Sequence, residues 1–173
     1  MFSVVFAATE TFGIGMNHNL PWRLKGDMAF FRTLTTSTTD NQKSIIMGRK
    51  TWDSLPERFR PLPNRQNIVL TRDTAFQTDD ALVTHSFEEA LQKCTGSIFV
   101  IGGADVYAQA LTHPHCEYVY WTQVRSIDGT AIPCDTFIKV SSLPEMGFQL
   151  DTTIQSETTE NEYIYEIRRY RKE

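Results

Sequence analysis

Cysteine is scarce in this 173-residue chain: there are three, Cys94, Cys116 and Cys134, with no CxxC pair among them. An odd, unpatterned set supplies no disulfide framework and fits a reducing compartment, the cytosol or an organelle reached without a visible presequence. Runs of like charge are missing as well. The 17 basic and 21 acidic residues leave a net charge of -4 without clustering, which argues against a nucleic-acid surface or a polybasic membrane patch and leaves a small molecule as the expected partner. The apolar start, Met1 to Ala8, is too short to span a membrane and lacks the basic head and cleavage region of a signal peptide. Repeats and low-complexity tracts are absent. No metal is expected, because His113-Pro114-His115-Cys116 follows a helix, offers no fourth ligand and reads as a turn.

What is present is alternation. A 40% hydrophobic content over this length fits one domain, residues 1–173, around a single core. Continuous apolar runs at Phe2–Ala8, Ser44–Met47, Asn67–Leu70 and Ser97–Ile101 read as strands buried on both faces. Helical stretches begin near Asp27, Arg49, Phe87 and Ala104, the third marked by a Ser86/Glu89 capping box and a stop at Gly96. Thr35 to Asn41 is polar enough to be a loop. Such βα alternation implies a mostly parallel sheet. The C-terminal third differs: Glu117–Val124 reads as a strand, and Phe148–Ile154 with Tyr163–Ile167 alternates like an antiparallel pair closing one edge.

Asp27 is the only acid between Glu10 and Asp40, and helical spacing puts it on one stripe with Leu24, Phe30, Phe31 and Leu34. An ionised carboxylate among such neighbours is costly unless paired, so it either does chemistry or caps the first turn of its helix. Ligands of open α/β sheets bind beyond the carboxyl ends of the strands. Two of these ends, Met47-Gly48-Arg49-Lys50-Thr51 and Ile101-Gly102-Gly103-Ala104, place glycine before a helix start whose free amides suit an anion. Neither is a GxGxxG fingerprint, but two in one small domain favour a dinucleotide. A third end carries Leu70-Thr71-Arg72, and arginine there, with Arg49, suits a 2′-phosphate and hence NADP over NAD, although Asp73 follows directly. Arg65, in the proline-stiffened Arg60-Pro61-Leu62-Pro63-Asn64-Arg65, is either a carboxylate grip or an ordinary surface cation.

Ile14-Gly15-Met16 with Leu20-Pro21-Trp22, Asp27 with Phe30-Phe31, and Ile46 to Trp52 stand in an order and spacing that continue through Arg60 to Arg65, Ile101 to Tyr107, Thr122 and Asp135-Thr136-Phe137. On these residues, and over nearly its whole length, the chain resembles dihydrofolate reductase. The resemblance implies an α/β fold with an eight-stranded, mostly parallel mixed sheet, an antiparallel C-terminal edge and four flanking helices. It implies reduction of 7,8-dihydrofolate to 5,6,7,8-tetrahydrofolate by hydride transfer from NADPH, in support of one-carbon metabolism and thymidylate synthesis. By position, Asp27 is similar to the family's active-site acid, Thr122 to the hydroxyl that orients it, and Trp22 to its water-mediated neighbour. Arg65 is similar to the arginine that binds the glutamate tail, with Phe31, Leu55 and Leu62 lining the pterin slot over a floor of Val5 and Phe6. For the cofactor, Ala7, Ile14 and Tyr107 would meet the nicotinamide, Thr51 with Gly102-Gly103-Ala104 the pyrophosphate, and Arg49 and Arg72 the 2′-phosphate. Gly15, Leu20, Gly48, Lys50, Leu70, Thr71, Ile101, Asp105 and Val106 complete the cofactor set that the resemblance implies. It also implies a cis peptide between Gly102 and Gly103 and a flap over Thr9–Leu24.

A cytoplasmic, monofunctional monomer open to antifolates is the expectation, since the chain ends soon after its last strand and leaves no room for a fused thymidylate synthase. Val124 to Thr130 is longer than compact bacterial forms have. The nearest rival is the NADPH reductase of riboflavin synthesis, whose phosphoribosyl substrate needs no tail clamp such as Arg65. A catalytically silent NADPH-binding protein is the rival of another class, disfavoured by Asp27, Thr122 and Tyr107.

Overall fold

A computed structural model describes residues 1–36 and 42–173. The apolar runs become strands β1 (Phe2–Ala8), β3 (Lys43–Gly48), β4 (Gln66–Leu70) and β6 (Ser97–Val100). The helices are α1 (Lys25–Thr35), α2 (Arg49–Ser54), α3 (Phe87–Lys93) and α4 (Ala104–Leu111). Three short strands carry no sequence periodicity and were not expected: β2 (Gly13–Gly15), β5 (Leu82–Thr84) and β8 (Thr136–Phe137). The last third supplies β7 (Cys116–Ser126), β9 (Phe148–Glu160) and β10 (Tyr163–Lys172). The expected polar loop runs into residues 37–41, outside the described residues; within the described part, Thr35 still belongs to α1 and is buried.

Eight strands form one sheet in the order β5-β4-β3-β6-β1-β7-β10-β9, and β2 pairs with β8 in a separate ribbon. Neighbours from β5 to β7 run parallel, while β10 pairs antiparallel with both β7 and β9. Helices cover both faces of the parallel part, so its central residues are buried on either side: Val4, Ile45, Ile46, Met47, Ile68, Val69 and Val100 are wholly inaccessible. β9 lies at the edge and is mostly exposed, which hides most of its length from pattern reading. Between Thr122 and Asp135, β7 continues to Ser126 and a turn follows in which Asp128 accepts from Thr130 N–H and hydroxyl. His113 sits in an aromatic group with Phe2 and Phe87; its Nδ1 accepts from His115 N–H and its Nε2 meets Glu88. The cysteines are free thiols, and burial pushes Cys94 up to about 11 and Cys116 up to about 12.

Helix α3 starts as its sequence requires, with the Ser86 hydroxyl accepting from Glu89 N–H at 3.1 Å. Ser86→Ala removes the acceptor of an otherwise orphaned helix amide, so a loss of about 1 kcal/mol in chemical denaturation is expected.

Candidate active site

Asp27 stands in the first turn of α1, whose N-cap position, Leu24, offers no side-chain acceptor. The cap comes from far away: the Glu160 carboxylate on β9 accepts from Lys25 N–H at 2.6 Å and Gly26 N–H at 3.1 Å. Asp27 turns inward with Leu24, which is buried, and with half-buried Phe30, Phe31 and Leu34. Its Oδ1 accepts from the Thr122 hydroxyl at 2.6 Å. Thr122 is buried in mid-β7, in register with Ala7 of β1 and Ile167 of β10, so the sheet fixes where that hydroxyl points. Burial raises the Asp27 pKa, the Thr122 hydrogen bond pulls it back, and the Glu160 charge raises it further. Trp22 is buried with Leu24 beside Ala7, and its indole Nε1 has no acceptor among the described residues.

On the same side of the sheet, Val5 lies in one cluster with Phe31, Leu55, Leu62 and Ile101. Phe6, expected beside Val5 at the floor, does not join it. Strand alternation sends its ring to the opposite face, against Phe12, Tyr107 and Trp121. The loop carrying Leu62 and Arg65 is held by buried Asn67, which accepts from Leu62 N–H and donates to the Leu62 and Arg65 carbonyls. Arg65 donates through Nε to the Pro63 carbonyl at 2.9 Å and through Nη1 to Thr35 Oγ1 at 3.0 Å. Burial and the nearby Arg32 charge lower the Arg65 pKa, and no carboxylate pairs with Arg65 among the described residues. Arg65, held in this way with the Arg32 charge near it, attracts an anion.

The two glycine turns also converge. β3 and β6 are parallel neighbours, and Gly48 N–H donates to the Gly102 carbonyl at 2.8 Å, so the starts of α2 and α4 stand side by side. Neither helix has a side-chain cap, which leaves first-turn amides open. Gly102 has φ +128, a conformation that side chains avoid, and a Cβ there would stand 3.3 Å from Thr51 Oγ1. The Gly102–Gly103 peptide is cis. Tyr107 is buried and donates to the Val5 carbonyl at 2.7 Å, and burial raises its pKa.

Other expected cofactor residues are placed variously. Arg49 is already engaged, with Nε 3.0 Å from Asp53, Nη1 3.6 Å from Asp73, and the guanidinium stacked 3.8 Å above Phe76. Arg72 and Lys50 are exposed, Leu70 and Thr71 half-buried at the end of β4. Ile101 and Ala104 are half-buried, Val106 is buried, and Asp105 is exposed at the second glycine turn. Ile14 and Gly15 lie in β2, whose pairing with β8 ties part of the Thr9–Leu24 segment, while Leu20 beyond it is exposed. An open concavity between Ser126–Pro133 and Asn161–Tyr163 is lined by none of the expected site residues.

Residues 1–172 match the dihydrofolate reductase family model. The chain belongs to the dihydrofolate reductase family. Among curated relatives, the bifunctional dihydrofolate reductase-thymidylate synthase of Daucus carota is 42% identical over 86% of this chain and 29% of its own length. Across that and the next four bifunctional plant relatives, the chain spans 26–29% of the partner's length. The dihydrofolate reductase of Heliothis virescens is 38% identical, over 78% of this chain and 77% of its own. A solved Enterococcus faecalis dihydrofolate reductase, complexed with NADP(H) and RAB-propyl, superposes with a TM-score of 0.79 at 28% identity, covering 99% of this chain and 95% of its own. No helix among the described residues is long and apolar enough to cross a membrane.

The groups that hold the candidate site residues of this dihydrofolate reductase family member in place leave little trace in its sequence. Thr35, Asn67 and Glu160 grip Arg65, its loop and the start of α1. Arg32 alone carried a signal, a cation on the same short helix as Asp27.

Proposed function

We propose that this protein reduces 7,8-dihydrofolate to 5,6,7,8-tetrahydrofolate with NADPH, serving one-carbon metabolism and thymidylate synthesis. The observation that carries this reading is the half-buried Asp27 carboxyl held by Thr122 beside Trp22, on a sheet whose other strand ends present two uncapped helix starts. The residues present fit the cofactor: Gly102 leaves open backbone where a side chain would be strained and would crowd Thr51, and free amides suit a pyrophosphate. In this reading Thr51, Gly48, Gly103 and Ala104 hold the pyrophosphate, Arg72 and Arg49 the 2′-phosphate, and Ala7, Ile14 and Tyr107 the nicotinamide. When bound, NADPH supplies the hydride.

The chain's own residues supply position and a proton. Asp27 grips the pterin's amino group and ring nitrogen and promotes protonation at nitrogen 5, Thr122 fixes the carboxyl, and the unpaired Trp22 Nε1 donates toward the same polar patch. Val5, Phe31, Leu55 and Leu62 sandwich the flat rings, and Arg65 binds the tail carboxylate in bidentate fashion. Antifolates would enter the same slot. We take residues 1–173 as one domain acting as a cytoplasmic monomer.

Purified protein mixed with NADPH and dihydrofolate should bleach the near-ultraviolet absorbance of the reduced nicotinamide. A folded protein that leaves both compounds untouched would sink the reading. The reductase of riboflavin synthesis stays second because we read Arg65, which has no carboxylate partner among the described residues, as a carboxylate clamp that a phosphoribosyl substrate does not need.

A further inference from the structure

The β9–β10 hairpin reaches across the molecule to the segment that leads into α1. Its tip makes four hydrogen bonds there. The Tyr163 hydroxyl donates to the Pro21 carbonyl at 3.1 Å and Asn161 Nδ2 to the Arg23 carbonyl at 3.0 Å. The Glu160 carboxylate accepts from the amides of Lys25 and Gly26. The four anchored residues bracket Trp22 and stop one short of Asp27. The fit is close as well: a Cβ on Gly26 would collide with the Tyr165 hydroxyl of β10, so α1 can approach the sheet this closely only with glycine there. A carboxylate at a helix start is held both by the free amides and by the helix dipole.

We propose that Glu160 is a positioning residue for the reaction: through the amides of Lys25 and Gly26 it sets the place of the Asp27 carboxyl against Thr122 and stations a second negative charge beside it. The proposal rests on the functional reading above. Its electrostatic consequence has a definite sign. Two backbone hydrogen bonds and the Lys25 charge hold the Glu160 pKa below the usual carboxylate value, which favours its ionised form. Its charge then disfavours ionisation of Asp27 and keeps the proton there to higher pH. The groups facing Asp27 from the packed elements are Thr122 on β7, Glu160 on β9, Tyr165 on β10 and Tyr107 on α4, and burial holds both phenols neutral. Glu160 is therefore the carboxylate in that set whose charge acts on Asp27.

Two variants and two readouts test this. Glu160→Gln keeps an acceptor for one amide and removes the charge, and Glu160→Asp keeps the charge. The Asp27 carboxyl is titrated by carbon-13 chemical shift in the ligand-free protein, and turnover of dihydrofolate with NADPH is followed against pH. In Glu160→Gln both midpoints should move to lower pH, and in Glu160→Asp they should return toward those of the unaltered protein. If the Asp27 titration in Glu160→Gln coincides with that of the unaltered protein and only the melting temperature falls, Glu160 is a helix cap and the proposal is overturned. If the unaltered protein shows no turnover, the functional reading fails, while the carbon-13 titration still decides the link between Glu160 and Asp27.

Discussion

Asp27→Asn should yield a folded protein that still binds NADPH and turns over dihydrofolate about 10²- to 10⁴-fold more slowly near neutral pH, the range lost when a positioned acid or base is removed. Asparagine keeps the shape and an oxygen that can accept from the Thr122 hydroxyl, so the packing of α1 against β7 survives. What disappears is the titrating proton next to the proposed pterin site. Near-normal turnover in this variant would remove Asp27 from the chemistry.

The same substitution should stabilise the fold, with a defined pH dependence. The folded-state pKa of Asp27 is raised above 3.8, so between the two values the native protein binds more protons than the unfolded chain and stability falls as pH rises. Above the folded-state value the whole penalty of an ionised carboxylate partly withdrawn from water is present. Asp27→Asn lacks that penalty, so its melting temperature should exceed that of the unaltered protein at about pH 8 and converge with it at about pH 3. Loss of activity with gain of stability is the signature of a site that holds a carboxyl in an unfavourable environment for function.

Arg65→Leu has the second largest expected effect, of a different kind. Removing a charged hydrogen-bonding partner of a carboxylate costs about 1.5–3 kcal/mol, which corresponds to a rise in KM for dihydrofolate of about 10- to 150-fold. The tail stands away from the reacting atoms, so kcat should change little, the pattern of lost uniform binding. Dihydropteroate, which has no glutamate tail, serves as the control, since its KM should be nearly unchanged. An equal penalty on both substrates would mean that Arg65 acts by bracing Thr35 and the Pro63 carbonyl and not by holding the tail.

The parts of the fold that were legible in the sequence are those in which one local signal matches one buried element. Ile45-Ile46-Met47 and Ile68-Val69 are inaccessible on both faces, and such strands read as unbroken apolar runs. Ser86 and Glu89 announce α3 because their bond is local. β2, β5 and β8 span two or three residues each and leave no period to detect. β9 extends to Glu160 through mostly exposed residues, where alternation of burial fails.

The site divides along the same line. Asp27 could be chosen by residue type and position and Thr122 by the family resemblance, but Glu160 meets the start of α1 across 135 residues of sequence, and only the tertiary fold brings them together. Phe6 is different, because the alternation of β1 already separates it from Val5 and Ala7. Its placement at the floor followed the resemblance and overrode a rule that the sequence itself obeyed.

The sharpest single measurement is isotope transfer. NADPH carrying deuterium at the reactive carbon of its nicotinamide is incubated with the pure protein and 7,8-dihydrofolate, and the product is examined by proton NMR. Hydride transfer in the proposed site places deuterium on carbon 6 of tetrahydrofolate and none on nitrogen-bound or other ring positions, with the yield collapsing in Asp27→Asn. Tetrahydrofolate formed without label at carbon 6, or label arriving equally well in Asp27→Asn, would show that the chemistry does not run through this site.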